Sequence, residues 1–118
     1  MTLEQCYEKL HGNYAEAKTR LMSDKLVDKF VLKFLDEPTM GQLREAIKGG
    51  EHDEVFRAVH TLKGVAANLA FTKLYSASSD LTEQLRGNNE KADPALMQKV
   101  EDSYKETIEA IEAYKSEK

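Results

Sequence analysis

Apolar residues recur at three- and four-residue intervals along nearly the whole chain, and this helical period constrains the fold more than any other feature. In the clearest segment, five apolar residues follow one another at steps of four, three, four and three: Val55, Val59, Leu62, Ala66 and Leu69. This spacing is typical of a helix whose apolar seam packs into a bundle. No stretch shows the strict alternation or the β-branched enrichment of a strand. The pattern therefore predicts an all-α fold.

Capping and breaking residues divide the first half of the chain into elements. Thr2 followed by Gln5 resembles a capping box, which begins a short first helix with a possible fray point at His11-Gly12-Asn13. Ser23 is a good N-cap for a second helix, and Pro38 should end or kink that helix. The apolar rhythm then resumes after the proline.

The second half of the chain has equally clear boundaries. Gly49-Gly50 suits a turn that closes a helix, and the helix with the apolar seam begins near Asp53. Thr72 is expected to cap the next helix, which ends at Gly87-Asn88-Asn89, and Asp93 caps the last one. Short connections between long amphipathic helices imply antiparallel neighbours. We therefore predict an antiparallel four-helix bundle with an additional short N-terminal helix.

Length and composition limit the class of protein further. A chain of 118 residues, 41% hydrophobic and 32% charged, can bury one core, so we expect one domain over residues 1–118 with a core bundle at about 23–115. The single cysteine, Cys6, leaves no intramolecular disulfide, and the opening residues lack the pattern of a signal peptide. We therefore expect a cytoplasmic protein.

Charge and hydropathy indicate which partners to expect. The formal net charge is −4, whereas affinity for nucleic acid comes largely from clustered basic residues. No apolar run approaches the roughly 18 residues that a membrane span requires. We therefore expect no nucleic acid and no membrane, and a protein partner or small ligand is favoured.

His60 lies outside the core pattern. At 3.6 residues per turn it stands about 140° from the centre of its own helix's apolar seam, so it should face water. An exposed histidine in mid-helix is usually an ordinary surface residue, but Gly64 and Ala67 lie on the same face and leave the imidazole above a nearly bare backbone. A glycine costs an exposed helix interior about 1 kcal/mol relative to alanine. We interpret Gly64 as a place where a partner's surface approaches.

The charges around His60 suit phosphoryl chemistry. Residues 55–79 contain no Asp or Glu but include Arg57, Lys63 and Lys73, although chance segregation on a solvated face remains an alternative for Arg57 and Lys73. Lys63 shares the side of the helix that carries His60 and can approach a group on the ring. A neutral imidazole is a nucleophile, and phosphoryl transfer depends chiefly on positioning and on positive charge.

The segment Ala58–Leu69, with the sequence AVHTLKGVAANL, strongly resembles the signature of histidine-containing phosphotransfer domains. The resemblance extends roughly from the second helix to the end of the chain. It implies a carrier that shuttles a phosphoryl group between aspartates of response-regulator receiver domains, one of them commonly in a hybrid histidine kinase. It also implies that His60 is phosphorylated, that Lys63 supports the charge, and that Gly64 opens room for the receiver.

The resemblance carries further expectations for the helix that follows. Arg86 falls where some members place a basic residue facing the histidine, although compensation of the helix dipole is an equal alternative. Thr82 occupies a position where Glu or Gln is common, and a threonine would reach the histidine only through water, or not at all. Ser79, one turn earlier, is a substitute for Thr82 or a plain surface residue. Ala70 stands where a glycine is usual, so the turn after Leu69 is expected to differ slightly.

The docking face should include Phe56, Arg57 and Ala67. Phe56 is the expected apolar anchor, with a half-buried core position as its alternative. The other histidines, His11 and His52, are expected to be solvated, and no metal-ligand spacing is present. We expect a monomeric phosphocarrier without catalytic activity or a cofactor of its own, because the receiver would bring Mg²⁺.

Three alternatives remain open from the sequence. The first is a helical interaction module in which His60 is incidental. The second is an enzyme with His60 as general base, although no acid between Glu54 and Asp80 is available to orient the imidazole. The third is a phosphotransfer domain of a chemotaxis-type kinase, fed by an ATP-binding domain.

Overall fold

The structure, a computed structural model, describes residues 1–118 and contains seven α-helices, one 3₁₀ turn and no strand. The α-helices are α1 (Leu3–Leu10), α2 (Tyr14–Leu21), α3 (Asp24–Lys33), α4 (Thr39–Gly49), α5 (His52–Leu69), α6 (Thr72–Leu85) and α7 (Pro94–Ser116), and the 3₁₀ turn is Phe34–Asp36. The predicted all-α class is confirmed. No helix combines the length and the apolar character needed to cross a membrane.

Helices α4 to α7 form the bundle. Two-residue connections join α4 to α5 and α5 to α6, and because each pair also packs together, these neighbours run antiparallel. Helix α7 packs against α6 and α1. An ion pair between Arg44 Nη2 and Glu101 Oε1, at 2.7 Å, links α4 to α7.

The N-terminal region differs from the single short helix that the sequence predicts. At the expected fray point the chain breaks into α1 and α2, because His11 adopts a left-handed conformation with φ of 60°. The side chain of Asn13 then caps α2 by accepting a hydrogen bond from the backbone N–H of Glu16, at 3.0 Å. Cys6 and Leu10 of α1 are buried in the same hydrophobic core as the bundle residues. The first helix is therefore part of the packing.

Most helix boundaries follow the local signals. Ser23 caps α3, Gly50 closes α4 in a left-handed conformation, and Asp93 caps α7. The predicted N-cap at Thr72 is wrong by one residue. Phe71 holds the cap position, and Thr72 is the first residue of α6. The physical reason is that Phe71 is fully buried, so the core fixes where the chain turns into α6.

The N-terminal helices hold the C-terminal end of α5. The hydroxyl of Tyr7 donates a hydrogen bond to the carbonyl of Leu69, at 2.7 Å, and the rings of Tyr7 and Phe71 pack with centroids 5.7 Å apart. The backbone N–H of Asn13 donates to the carbonyl of Ala70, at 2.9 Å. Ala70 takes the left-handed conformation, with φ of 56°, that closes α5. The turn after α5 is therefore fixed by contacts with α1 and with the α1–α2 connection.

This junction predicts an intolerance to side chains at Gly12. A Cβ there would lie 2.7 Å from the carbonyl oxygen of Ala70 and 2.8 Å from side-chain carbons of Leu10 and Tyr7. We expect Gly12→Ala to lower the free energy of unfolding by about 1–3 kcal/mol, measured by urea denaturation. Gly41→Ala is the matched control in α4, because its Cβ would meet nothing within 4 Å, and it should stabilise by up to about 1 kcal/mol. Equal effects of the two substitutions would contradict this packing.

Candidate functional site

His60 lies in the middle of α5, and its side chain is exposed. The preceding Val59 and the following Leu62 are fully buried, so the apolar seam fixes the rotation of the helix about its axis. The prediction that the imidazole faces water is confirmed.

Three rings form a row along the outer side of α5, one helical turn apart. His52 and Phe56 stack with centroids 6.4 Å apart and an interplanar angle of 7°. Phe56 and His60 pack with centroids 5.9 Å apart, at 48°. Phe56 is half-buried against the core. It therefore gives the exposed imidazole a packed neighbour on one side.

His52 is not the solvated loop residue that the sequence predicts. It is the first residue of α5, and its side chain is only 15% exposed. Its Nε2 lies 2.8 Å from the carbonyl oxygen of Leu85, the last residue of α6, so Nε2 carries the proton and donates this bond. His52 thus ties the beginning of α5 to the end of α6. His11 is more than half exposed, and its Nε2 lies 3.2 Å from Oε2 of Glu106.

Lys63 extends from α5 towards α6. Its side chain is half-buried, and Nζ lies over the ring of Tyr75, 5.9 Å from the centroid. The same cation acts on Glu83 of α6. The pKa of the Glu83 carboxyl lies below its usual value, chiefly because Arg86 hydrogen-bonds to it and also through the charges of Lys63 and His60. Lys63 and His60 therefore share the flank of the bundle between α5 and α6.

Thr82 faces the core of the bundle. It is fully buried, and its Oγ1 donates a hydrogen bond to the carbonyl of Ser78, at 2.7 Å. The reason is the phase of α6, in which Ser78, Leu81 and Thr82 all point into the core. No hydrogen bond joins Thr82 to the imidazole, which is one of the two outcomes expected for this threonine. Ser79 is half-buried one turn earlier, and no hydrogen bond joins it to His60.

Glu83 and Arg86 are the residues that α6 presents beside the row of rings. Nε of Arg86 donates to Oε2 of Glu83 at 3.0 Å, and Nη2 donates to Oε1 at 3.2 Å. The guanidinium carbon lies 5.4 Å from the centroid of Phe56. Arg86 is also the C-cap residue of α6, so its position is compatible with both of the roles given for it from the sequence. Sequence reasoning missed Glu83, although its spacing of three from Arg86 is a typical helical ion pair.

The surface around the imidazole is open. A Cβ built on Gly64 would meet nothing within 4 Å, so the glycine is not required by the packing of this chain. Arg57 is exposed and Ala67 is half-buried. A shallow cleft is lined by Asp53, Phe56, Arg57, His60 and Thr61. No group of three or more histidine, cysteine or carboxylate side chains is arranged to hold a metal ion.

The fold and the site together define a helical bundle that displays an exposed histidine, His60, in the middle of a helix that also carries Arg57 and Lys63. Comparison with known protein families matches residues 33–114 to the Hpt domain. This span covers well over half of the 118 residues, so the chain belongs to the Hpt domain family, whose members are phosphocarriers of two-component signalling. Neither the curated proteins nor the solved structures yielded a match. The matched span includes all of α4 to α6, α7 as far as Tyr114, and every residue of the site.

Proposed function

We propose that this chain is a phosphorelay carrier in which His60 accepts a phosphoryl group from the aspartyl phosphate of one receiver domain and passes it to an aspartate of another. The observation that carries the proposal is the exposed imidazole in the middle of α5, on a face that an incoming protein can reach. Family membership supplies the coarse class, phosphotransfer in two-component signalling. The phosphorylated residue and the aspartyl donor are the finer part of the proposal.

The transfer needs little covalent chemistry from this chain. The unprotonated ring nitrogen of His60 attacks phosphorus in line and forms a P–N bond. The P–O bond of the acyl phosphate breaks, and its electron pair leaves on the aspartate carboxylate. The proton on the other ring nitrogen stays with the ring as imidazolium or passes to water. The reverse sequence returns the phosphoryl group to a second aspartate.

Positive charge supports the phosphoryl group during the transfer. Lys63 lies one turn after His60 and extends towards α6, where Arg86 lies beside Phe56. Cations placed near the transferring oxygens offset the charge of the transition state. We propose that the receiver supplies the remaining machinery, an acidic pocket with bound Mg²⁺. In this proposal the chain has no cofactor and no autonomous catalytic activity.

The docking face is proposed to surround His60. Phe56 and Arg57 lie before the imidazole on α5, and Gly64 and Ala67 lie after it. The open space above Gly64 supports this assignment, because a flat, bare stretch of helix lets a partner surface come close. The proposed partners are receiver domains, including one in a hybrid histidine kinase. We further propose a single-domain cytoplasmic monomer that binds neither nucleic acid nor membrane.

His60→Gln tests the phosphoacceptor. Incubation with a phosphorylated receiver should label the wild-type protein with an acid-labile, base-stable phosphate, measured with radiolabelled phosphate on gels. His60→Gln should carry no label, because glutamine lacks a nucleophilic ring nitrogen. The matched control is His11→Gln, which removes an exposed histidine from a different surface and should be labelled like the wild type. Label that persists in His60→Gln would remove His60 from the mechanism and favour another acceptor.

Lys63→Ala tests the supporting charge. We expect about a tenfold slower transfer from the receiver, which corresponds to about 1.4 kcal/mol in the barrier, with an unchanged free energy of unfolding. Lys73→Ala is the control, because Lys73 is paired with Glu106 at 2.7 Å and lies away from the imidazole. Rapid-quench kinetics would measure both variants. A wild-type rate in Lys63→Ala would identify the lysine as ordinary surface charge.

Gly64→Ala separates stability from docking. Because the added methyl meets open space, it should raise the free energy of unfolding by up to about 1 kcal/mol. The same methyl stands in the proposed approach path, so transfer from a receiver should slow more than phosphorylation by the small donor phosphoramidate. Urea denaturation and the two rates would be measured on one preparation. A less stable variant, or equal slowing with both donors, would contradict the role given to Gly64.

A further inference from the structure

The carboxylate of Glu83 lies beside the proposed phosphoacceptor site and has no part in the transfer described above. It accepts two hydrogen bonds from Arg86, from Nε at 3.0 Å and from Nη2 at 3.2 Å. The guanidinium lies over the ring of Phe56, which in turn packs against the imidazole of His60. A negative group therefore occupies donors of the arginine that lies over Phe56.

A phosphoryl group on His60 would accept hydrogen bonds from the same N–H groups of Arg86. Arginine binds carboxylates and phosphates with the same two-point geometry, through parallel N–H groups of its planar guanidinium. The side chains of Glu83 and Arg86 are 55% and 50% exposed, so the pair can open without disturbing the core. Exposed ion pairs of this kind contribute little to folding. The pairing can therefore be exchanged at low cost when a stronger anion arrives.

Glu83 would also act directly on a phosphoryl group bound to His60. Its carboxylate is bonded to Arg86, whose guanidinium lies over Phe56, and Phe56 packs against the imidazole, so a charge added to the imidazole would lie on the same flank. A phosphohistidine carries negative charge on its phosphoryl oxygens, and like charges at short range raise each other's free energy. Competition for Arg86 and charge repulsion therefore both raise the free energy of the phosphorylated form.

We propose that Glu83 is an internal competitor of the phosphoryl group for Arg86, which lowers the stability of the phosphohistidine and so favours onward transfer. In the free protein Glu83 holds the guanidinium in place over Phe56. In the phosphorylated protein the phosphoryl group takes over Arg86, and the displaced carboxylate repels it. Glu83 is a tuning residue in this account, since it acts on the phosphoryl group without bonding to it. The inference rests on the proposed function of His60.

The test uses phosphoramidate as a donor, so no partner protein is needed. The P–N bond of phosphoramidate breaks as ammonia leaves with a proton, and a new P–N bond forms at the imidazole. At fixed phosphoramidate and ammonium concentrations and at pH 8, ³¹P NMR gives the ratio of phosphorylated to free protein. We expect Glu83→Gln to raise this ratio by about two- to fivefold, as for the loss of one exposed charge interaction. Arg86→Ala should lower it.

A double-mutant cycle separates competition for Arg86 from direct repulsion. When Arg86 is already replaced by alanine, Glu83→Gln should raise the ratio by less than it does in the wild-type background. The matched control is Glu109→Gln on α7, which removes the same charge from an exposed pair with Lys105 and should leave the ratio unchanged. A purely structural role of Glu83 would alter the free energy of unfolding and leave the ratio as it is.

The outcomes distinguish this inference from the function on which it rests. If wild-type His60 takes no phosphoryl group from phosphoramidate or from a phosphorylated receiver, the proposed function fails and the inference fails with it. If His60 is phosphorylated and Glu83→Gln has the wild-type ratio or a lower one, only the role of Glu83 is overturned. An equal effect of Glu83→Gln with and without Arg86 would overturn the competition.

Discussion

The apolar seam of α5 is the constraint on which the rest of the structure depends. Its five residues, from Val55 to Leu69, are at most 7% exposed, and a helix turns by about 100° per residue. When this seam is buried, the opposite face of α5 must point to solvent, and His60 and Gly64 lie on that face. Contacts at both ends hold the helix there. His52 bonds to the end of α6, and the Leu69 carbonyl accepts a bond from α1.

The charges of the chain are distributed so that the outward face of α5 differs from the rest of the surface. The protein carries 21 acidic and 17 basic residues, yet α5 has no carboxylate beyond its first turn. Lys73, near the beginning of α6, is paired with Glu106 of α7, whereas Lys63 extends from α5 to α6, where its Nζ lies over the ring of Tyr75. Glu83 brings a negative charge to the same flank and is held by Arg86. Positive charge on this flank is therefore available to an anion, and the carboxylate of Glu83 is already paired with Arg86.

The features of the structure that depend on neighbouring residues, such as helix exposure and helix caps, could be predicted from the sequence. The exposure of His60 follows from the helical period. Asp93 caps α7 by accepting hydrogen bonds from the backbone N–H groups of Ala95 and Leu96. The contact of His52 joins it to a carbonyl 33 residues further along the chain, which no local pattern specifies. The resemblance left open whether Thr82 reaches the histidine, because it fixes a position in the sequence, whereas the packing of α6 decides which side chain faces the core. Glu83 is the neighbour that the packing turns outward instead.

The most direct measurement is the long-range ¹H–¹⁵N NMR spectrum of the protein labelled with ¹⁵N in its histidine rings, recorded before and after incubation with a phosphorylated receiver domain. The chain has three histidines, so the spectrum reports on every imidazole at once. We expect the resonance of one ring nitrogen of His60 to shift when the P–N bond forms, while His11 keeps its resonances. A spectrum in which His60 is unchanged after the receiver has lost its phosphate to this protein would contradict the account.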